Sequence, residues 1–148
     1  ILPGMSLDLT TNDVDGKPWD FNDETKRRKA IKLVRERKAM LLIGSPMCTA
    51  FSTWQALNDA RYGHSESDIR RRRVAAELHI RFVCELYDMR DSAGRYFLHE
   101  HPAQATSWDL PCIRELESRP WVHRILGDQC QYGQKAKDGR GSGRVQRV

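Results

Sequence analysis

The chain has 148 residues, of which 39% are hydrophobic and 30% are charged, and its mean hydropathy is −0.68. This length and composition suit one soluble globular domain with a modest core. No apolar run approaches the roughly 20 residues that a membrane-spanning helix needs, so we expect no membrane partner. The chain begins at Ile1 and not at Met, and we therefore expect a fragment or a processed product.

The basic residues are concentrated in three clusters. The net charge is +5, with eight basic residues and one acid from Lys26 to Lys38, an unbroken run from Arg70 to Arg73, and five basic residues from Lys135 to Arg147. Such clusters could line the phosphate track of a nucleic acid. They could equally be solvated helix faces and a charged tail, and both interpretations stay open.

The four cysteines are widely spaced and form no C-x-x-C pair. They are Cys48, Cys84, Cys112 and Cys130. Without a visible secretory leader, this pattern predicts free thiols, no metal site and an intracellular location, nuclear or cytoplasmic.

The first predicted elements are a helix and a strand. Asn22 or Asp23 is suited to cap a helix that runs to about Arg37 with its basic side exposed. Residues 40–44 then form a short, continuous apolar run that ends at glycine. This pattern predicts a strand buried on both faces of a parallel sheet.

Helices and strands continue to alternate after this strand. Thr106 or Ser107 is suited to cap the second helix of this stretch. The predicted elements are a helix over 66–89, a strand over 95–100, a helix over 108–118 and a strand over 121–126.

This order predicts an α/β fold with a mostly parallel sheet and flanking helices. We expect one domain over residues 1–134. The composition of residues 135–148 predicts a basic, disordered tail.

A thiol and a carboxyl group follow two of the predicted strands. Cys48 comes shortly after the strand at 40–44, and Glu100 ends the strand at 95–100. Because parallel strands end at one edge of a sheet, we expect both side chains to face one cleft. A lone cysteine is also a common buried hydrophobe, and that interpretation stays open.

Three segments, in order, resemble the DNA cytosine-5 methyltransferases. LLIGSPMCTAFS (41–52) is similar to the nucleophile segment, an apolar strand followed by Gly, a small residue, Pro-Pro-Cys and Phe-Ser. FLHEHP (97–102) is similar to the segment that carries Glu-Asn-Val or Glu-Asn-Pro, and DQCQYGQ (128–134) to a later strand with a Tyr-Gly turn. The layout is also similar to methyltransferase-like segments of mobile-element polyproteins.

The resemblance implies a partial Rossmann-like methyltransferase fold and a defined chemistry. Cys48 is then the nucleophile that adds to carbon 6 of a flipped cytosine, which makes carbon 5 reactive toward the methyl group of S-adenosylmethionine. Glu100 is the carboxyl group that contacts ring nitrogen 3 and the exocyclic amine. Double-stranded DNA is the implied partner.

Further residues receive roles from the same resemblance. Met47 and His101 depart from the family's usual Pro and Asn, and no glycine-rich cofactor loop precedes the nucleophile segment. The implied substrate-binding residues are Ser45, Pro46, Phe51, Ser52 and His101, with phosphate contacts from Arg70, Arg71, Arg72 and Arg73, and the implied cofactor contacts are Asp8 and Asp20.

Two other functions remain as alternatives. One is a non-catalytic α/β module of a mobile-element polyprotein that binds nucleic acid through its basic clusters. The other is a cysteine hydrolase in which His99 or His101 assists Cys48. Strong salt dependence of binding without a need for Cys48 would favour the first, and reaction with acyl substrates the second.

Overall fold

The computed structural model describes residues 4–128 and 145–147, which form a mixed α/β structure that is about half helical. The helices are α1 (Glu24–Arg37), α2 (Thr53–Tyr62), α3 (Glu66–Asp91) and α4 (Pro111–Glu117). The strands are β1 (Leu41–Gly44), β2 (Tyr96–His99), β3 (His101–Pro102), β4 (Leu126–Asp128) and β5 (Val145–Arg147). In the described ranges, no helix combines the length and the apolar character needed to span a membrane.

Helix α1 begins and ends close to the predicted positions. The Asp23 side chain caps it by accepting a hydrogen bond from the backbone N–H of Thr25, and Lys38 ends it in a left-handed conformation. Ala30 and Val34 pack into a core cluster with Trp19 on the loop before the helix. The short apolar face thus holds α1 against the rest of the domain.

Strands β1 and β2 form a two-stranded parallel sheet that packs against α3. Leu42 pairs with Phe97, and Gly44 pairs with His99 at the end of the sheet. On α3, the Tyr87 ring stacks on Phe97 with the ring centroids 4.6 Å apart. The longest helix therefore covers one face of the sheet and fixes the ends of both strands.

The other face of this sheet is open, and the prediction that the first strand is buried on both faces is wrong. Leu41 and Ile43 are exposed, with 62% of Ile43 accessible to solvent, and Tyr96 on β2 is exposed as well. Only alternate residues of the apolar run point toward α3. An unbroken apolar run therefore did not indicate two buried faces here.

The predicted third parallel strand is also wrong. Residues 121–125 are not in a strand, and β4 starts at Leu126 in a separate antiparallel sheet whose order is β3–β5–β4. The indole N–H of Trp121 donates to Asp91 at 2.8 Å, and the Arg124 guanidinium lies 4.3 Å from the Trp108 ring. These side-chain contacts hold the segment in place without a strand ladder.

The helix predicted over 108–118 is split in two. A short 3-10 helix spans Thr106–Asp109, and α4 starts at Pro111, which has no N–H to contribute and suits the first turn. Neither Thr106 nor Ser107 caps an α-helix. Helix α2 was not predicted from the sequence.

The α/β class is confirmed in a coarse form, as a mixed structure with a small parallel sheet. Most of the predicted basic tail over 135–148 lies outside the described residues. Residues Val145–Arg147 are described and form β5.

Candidate active site

The ends of β1 and β2 bring Ser45 and Glu100 together. Gly44 and His99 are register partners, and the Glu100 N–H continues the ladder by donating to the Gly44 carbonyl at 2.9 Å. The Ser45 hydroxyl then donates a 2.6 Å hydrogen bond to Oε2 of Glu100. The two sequence segments that carry the resemblance thus meet side by side.

Cys48 lies three residues beyond Ser45, at the start of a 3-10 helix that spans Thr49–Phe51. It is a half-buried free thiol, and its carbonyl accepts a hydrogen bond from the Phe51 N–H at 2.9 Å. Phe51 is 1% exposed and belongs to the main core cluster. Cys48 therefore lies in a tight turn that the buried Phe51 side chain fixes to the core.

His101 connects the Glu100 segment to the Cys48 segment. Its imidazole is buried, with Nε2 3.1 Å from the Pro46 carbonyl oxygen and Nδ1 beside the Ser107 hydroxyl. Since a carbonyl only accepts, Nε2 carries the proton and Nδ1 accepts from Ser107. Burial lowers the pKa of His101, so the ring is neutral at pH 7 and holds the Pro46 carbonyl.

His99 contributes to packing under the site. Its Nδ1 lies 3.1 Å from the Tyr87 hydroxyl, and its Nε2 is buried without a hydrogen-bond partner among the described residues. Burial lowers the pKa of His99 to about 4. Both nitrogens of His101 are engaged, so neither is free to accept a proton from Cys48.

The Arg73 side chain is partly exposed and makes hydrogen bonds next to the candidate site. Its Nη1 donates to the Ala50 carbonyl at 3.3 Å and to the Thr106 hydroxyl at 3.0 Å, and its Nε donates to Glu77 at 3.0 Å. The guanidinium also lies 4.4 Å from the centroid of the Phe51 ring. These partners engage Nε and Nη1 of the guanidinium within the fold.

The other three arginines of the run differ in how far they are engaged. Arg71 donates to Asp68 at 2.7 Å, and Arg72 donates to Asp59 at 2.8 Å. The hydrogen bond from Arg72 lowers the pKa of Asp59 to about 2. Arg70 is exposed and makes no ion pair within residues 4–128, so it is the member best placed for a phosphate contact.

Ser52 has a structural role at the start of α2. Its hydroxyl oxygen accepts a 3.2 Å hydrogen bond from the Trp54 N–H and so caps the helix. The helix ends at Gly63, which has a φ of 61° and suits the left-handed capping position. This segment carries the chain from the Cys48 turn to α3.

The two residues implied for S-adenosylmethionine, Asp8 and Asp20, lie in separate turns before α1. Asp8 accepts hydrogen bonds from Ser6 and Thr10, and Asp20 accepts two from Asn22, all within their own turns. In residues 4–40 no strand followed by a glycine-rich turn precedes β1.

The sequence did not indicate several residues that hold the site. Thr106 and Ser107 were predicted as helix caps but contact Arg73 and His101. Tyr87 lies in the helix predicted over 66–89, where nothing marked it as a contact of the site, yet its hydroxyl lies 3.2 Å from the Gly44 carbonyl oxygen. No local pattern signals these roles, because each partner is distant in sequence.

No family model, curated protein or solved structure matches this chain.

Proposed function

We propose that this domain is a catalytic core similar to that of the DNA cytosine-5 methyltransferases, with double-stranded DNA as its partner. The hydrogen bond between Ser45 and Glu100 carries the proposal, because it joins the two segments that resemble the family's catalytic motifs. S-adenosylmethionine stays the methyl donor that the resemblance predicts. The proposal for this chain's own residues concerns the activation of cytosine.

In this reaction Cys48 acts as the nucleophile. Its thiolate adds to carbon 6 of a flipped cytosine, and the electron pair of the 5,6 double bond moves toward carbon 5. Glu100 contacts ring nitrogen 3 and the exocyclic amine and stabilises the adduct. Ser45 holds the Glu100 carboxyl group from one side and thereby limits its rotation.

The parallel pair β1–β2 is proposed to be part of a Rossmann-like sheet. Both strands run in the same direction, α3 connects them, and the candidate residues follow their carboxyl ends. Ligands of open α/β sheets bind at that edge. This arrangement supports the proposed fold without depending on the antiparallel sheet formed by β3, β4 and β5.

A second candidate is the non-catalytic module that binds nucleic acid. The exposed guanidinium of Arg70 and the basic face of α1 favour it, because neither needs Cys48. This candidate predicts binding that weakens steeply with salt and is unchanged in Cys48→Ser.

The experiment that separates these candidates needs no methyl donor. A cytosine-containing duplex is incubated with the protein in deuterium oxide, and deuterium at cytosine carbon 5 is measured by mass spectrometry. After thiolate addition, carbon 5 takes a deuteron from solvent; loss of the original carbon 5 proton and expulsion of the thiolate then restore cytosine, now deuterated. The thiol is regenerated, so the exchange is catalytic.

We expect exchange with the unmodified protein and with Cys112→Ser, a control that changes another half-buried cysteine. Cys48→Ser should abolish exchange, since the hydroxyl is a far weaker nucleophile. Binding that persists with no exchange in any variant would overturn the catalytic proposal in favour of the binding module.

A further inference from the structure

One side chain, Arg73, contacts both segments of the candidate site. It binds the Ala50 carbonyl two residues after Cys48, and it binds the Thr106 hydroxyl six residues after Glu100. The Thr106 hydroxyl in turn lies 3.4 Å from the Phe51 carbonyl oxygen and donates to it. A guanidinium on α3 thus links the turn that carries Cys48 to the segment that follows Glu100.

We propose that Arg73 is a positioning residue that fixes the Cys48 turn, and not a phosphate contact. Any effect of Arg73 on catalysis rests on the proposed function. Its effect on the Cys48 turn can be measured on the free protein, without DNA. This positioning role replaces the role that the resemblance implied for Arg73. Arg70, which is exposed and makes no ion pair within residues 4–128, keeps the phosphate role.

The geometry requires arginine at this position. The guanidinium lies over the Phe51 ring at 4.4 Å while Nη1 donates to two oxygens and Nε donates to Glu77. A planar group with five donors can stack and bond in its plane at the same time, whereas a lysine ammonium offers one compact charge. Lysine would therefore keep the charge and lose most of these contacts.

The turn is held on both sides of the thiol. His101 binds the carbonyl of Pro46, two residues before Cys48, and Arg73 binds the carbonyl of Ala50, two residues after it. Between these two points the 3-10 helix and the buried Phe51 side chain leave the backbone little freedom. The thiol is thereby presented from a fixed backbone, as a nucleophile in a preorganised site requires.

The test measures the alkylation of Cys48 by iodoacetamide in the absence of DNA. The labelling rate of each cysteine is followed by mass spectrometry of tryptic peptides, which separates Cys48 from Cys84 and Cys112. In Arg73→Met and Arg73→Lys, we expect Cys48 to react about fivefold faster, because the loss of these hydrogen bonds loosens the turn. Arg35→Met is the matched control, since Arg35 is an exposed arginine on α1.

Cys84 reports whether each variant is folded. It is buried in the core, and burial raises the pKa of its thiol, so it should stay unreactive while the domain is intact. If both Arg73 variants expose Cys84, the labelling rate of Cys48 in Thr106→Val tests the proposal instead. This substitution removes one hydrogen-bond partner of Arg73 and keeps the shape of the Thr106 side chain. Rates of Cys48 within twofold of the control in folded variants would overturn the proposal.

The deuterium exchange reaction separates positioning from phosphate binding. A positioning role predicts that Arg73→Lys lowers kcat about tenfold with KM for the duplex unchanged. A phosphate contact predicts the opposite, a raised KM and a smaller salt dependence, with kcat unchanged. If the unmodified protein shows no exchange, the proposed function fails, and the alkylation rates still decide whether Arg73 fixes the turn.

Discussion

The hydroxyl of Tyr87 lies against the backbone of Gly44, 3.2 Å from its carbonyl oxygen, so the last residue of β1 is in contact with α3. A Cβ atom at position 44 would lie 2.1 Å from this hydroxyl oxygen and 3.0 Å from a Val83 methyl carbon. Real Cβ atoms do not approach so closely. Glycine at the end of β1 is therefore required by packing, whatever catalytic role the neighbouring residues have.

Gly44→Ala should destabilise the domain by about 1–3 kcal/mol, since the helix and the strand must separate to admit the methyl group. The free energy of unfolding is measured by urea denaturation. Gly4→Ala is the control, because nothing lies within 4 Å of the atom it adds. Tyr87→Phe removes the nearest clash, so the double variant should recover part of the loss. A loss that is no smaller in that background would contradict the packing argument.

Acid should destabilise the domain through His99. Its pKa is lowered from 6.5 to about 4 by burial, so between these values the unfolded state binds a proton that the folded state does not. Stability is therefore complete above pH 6.5 and falls with pH down to about 4, at a slope approaching ~1.4 kcal/mol per pH unit. Comparing His99→Phe with the unmodified protein from pH 7 to 4.5 isolates this contribution. If the stability of the two proteins fell in parallel with pH, His99 would not be the source of the acid destabilisation.

The sequence predicted the local elements well and the pairing of strands less well. Helix α1 has a capping aspartate, Asp23, and apolar residues recur at helical spacing along α3, so both helices follow from nearby residues. The meeting of Ser45 with Glu100 follows from the parallel strand order that the sequence also predicted. The segment at 121–125 was misassigned because Trp121 and Arg124 bind partners on α3 and on the helices before β4. Such tertiary contacts leave no periodic signal.

Removing the Ser45 hydroxyl should slow the deuteration of cytosine, because Glu100 loses a hydrogen bond that holds its carboxyl group. Ser45→Ala deletes the 2.6 Å hydrogen bond to Oε2, and we expect the rate of cytosine deuteration to fall about tenfold, the usual effect of losing one bond to a charged group. Glu100→Gln should lower it further, by about 10²-fold or more, since the stabilising charge is lost. Circular dichroism verifies that both variants are folded. Full activity in Glu100→Gln would remove this residue from the site.

The salt dependence of DNA binding should identify the arginine that reaches a phosphate. Arg70 is exposed and has no ion-pair partner in the described part of the chain, so Arg70→Ala should reduce the slope of log K against log salt by about 1. Arg114 on α4 is the charge-matched control, because it is already paired with Asp109. Arg114→Ala should leave the slope within error of the unmodified protein. Equal slopes for Arg70→Ala and Arg114→Ala would exclude Arg70 from the phosphate contacts and move the interface to the basic face of α1.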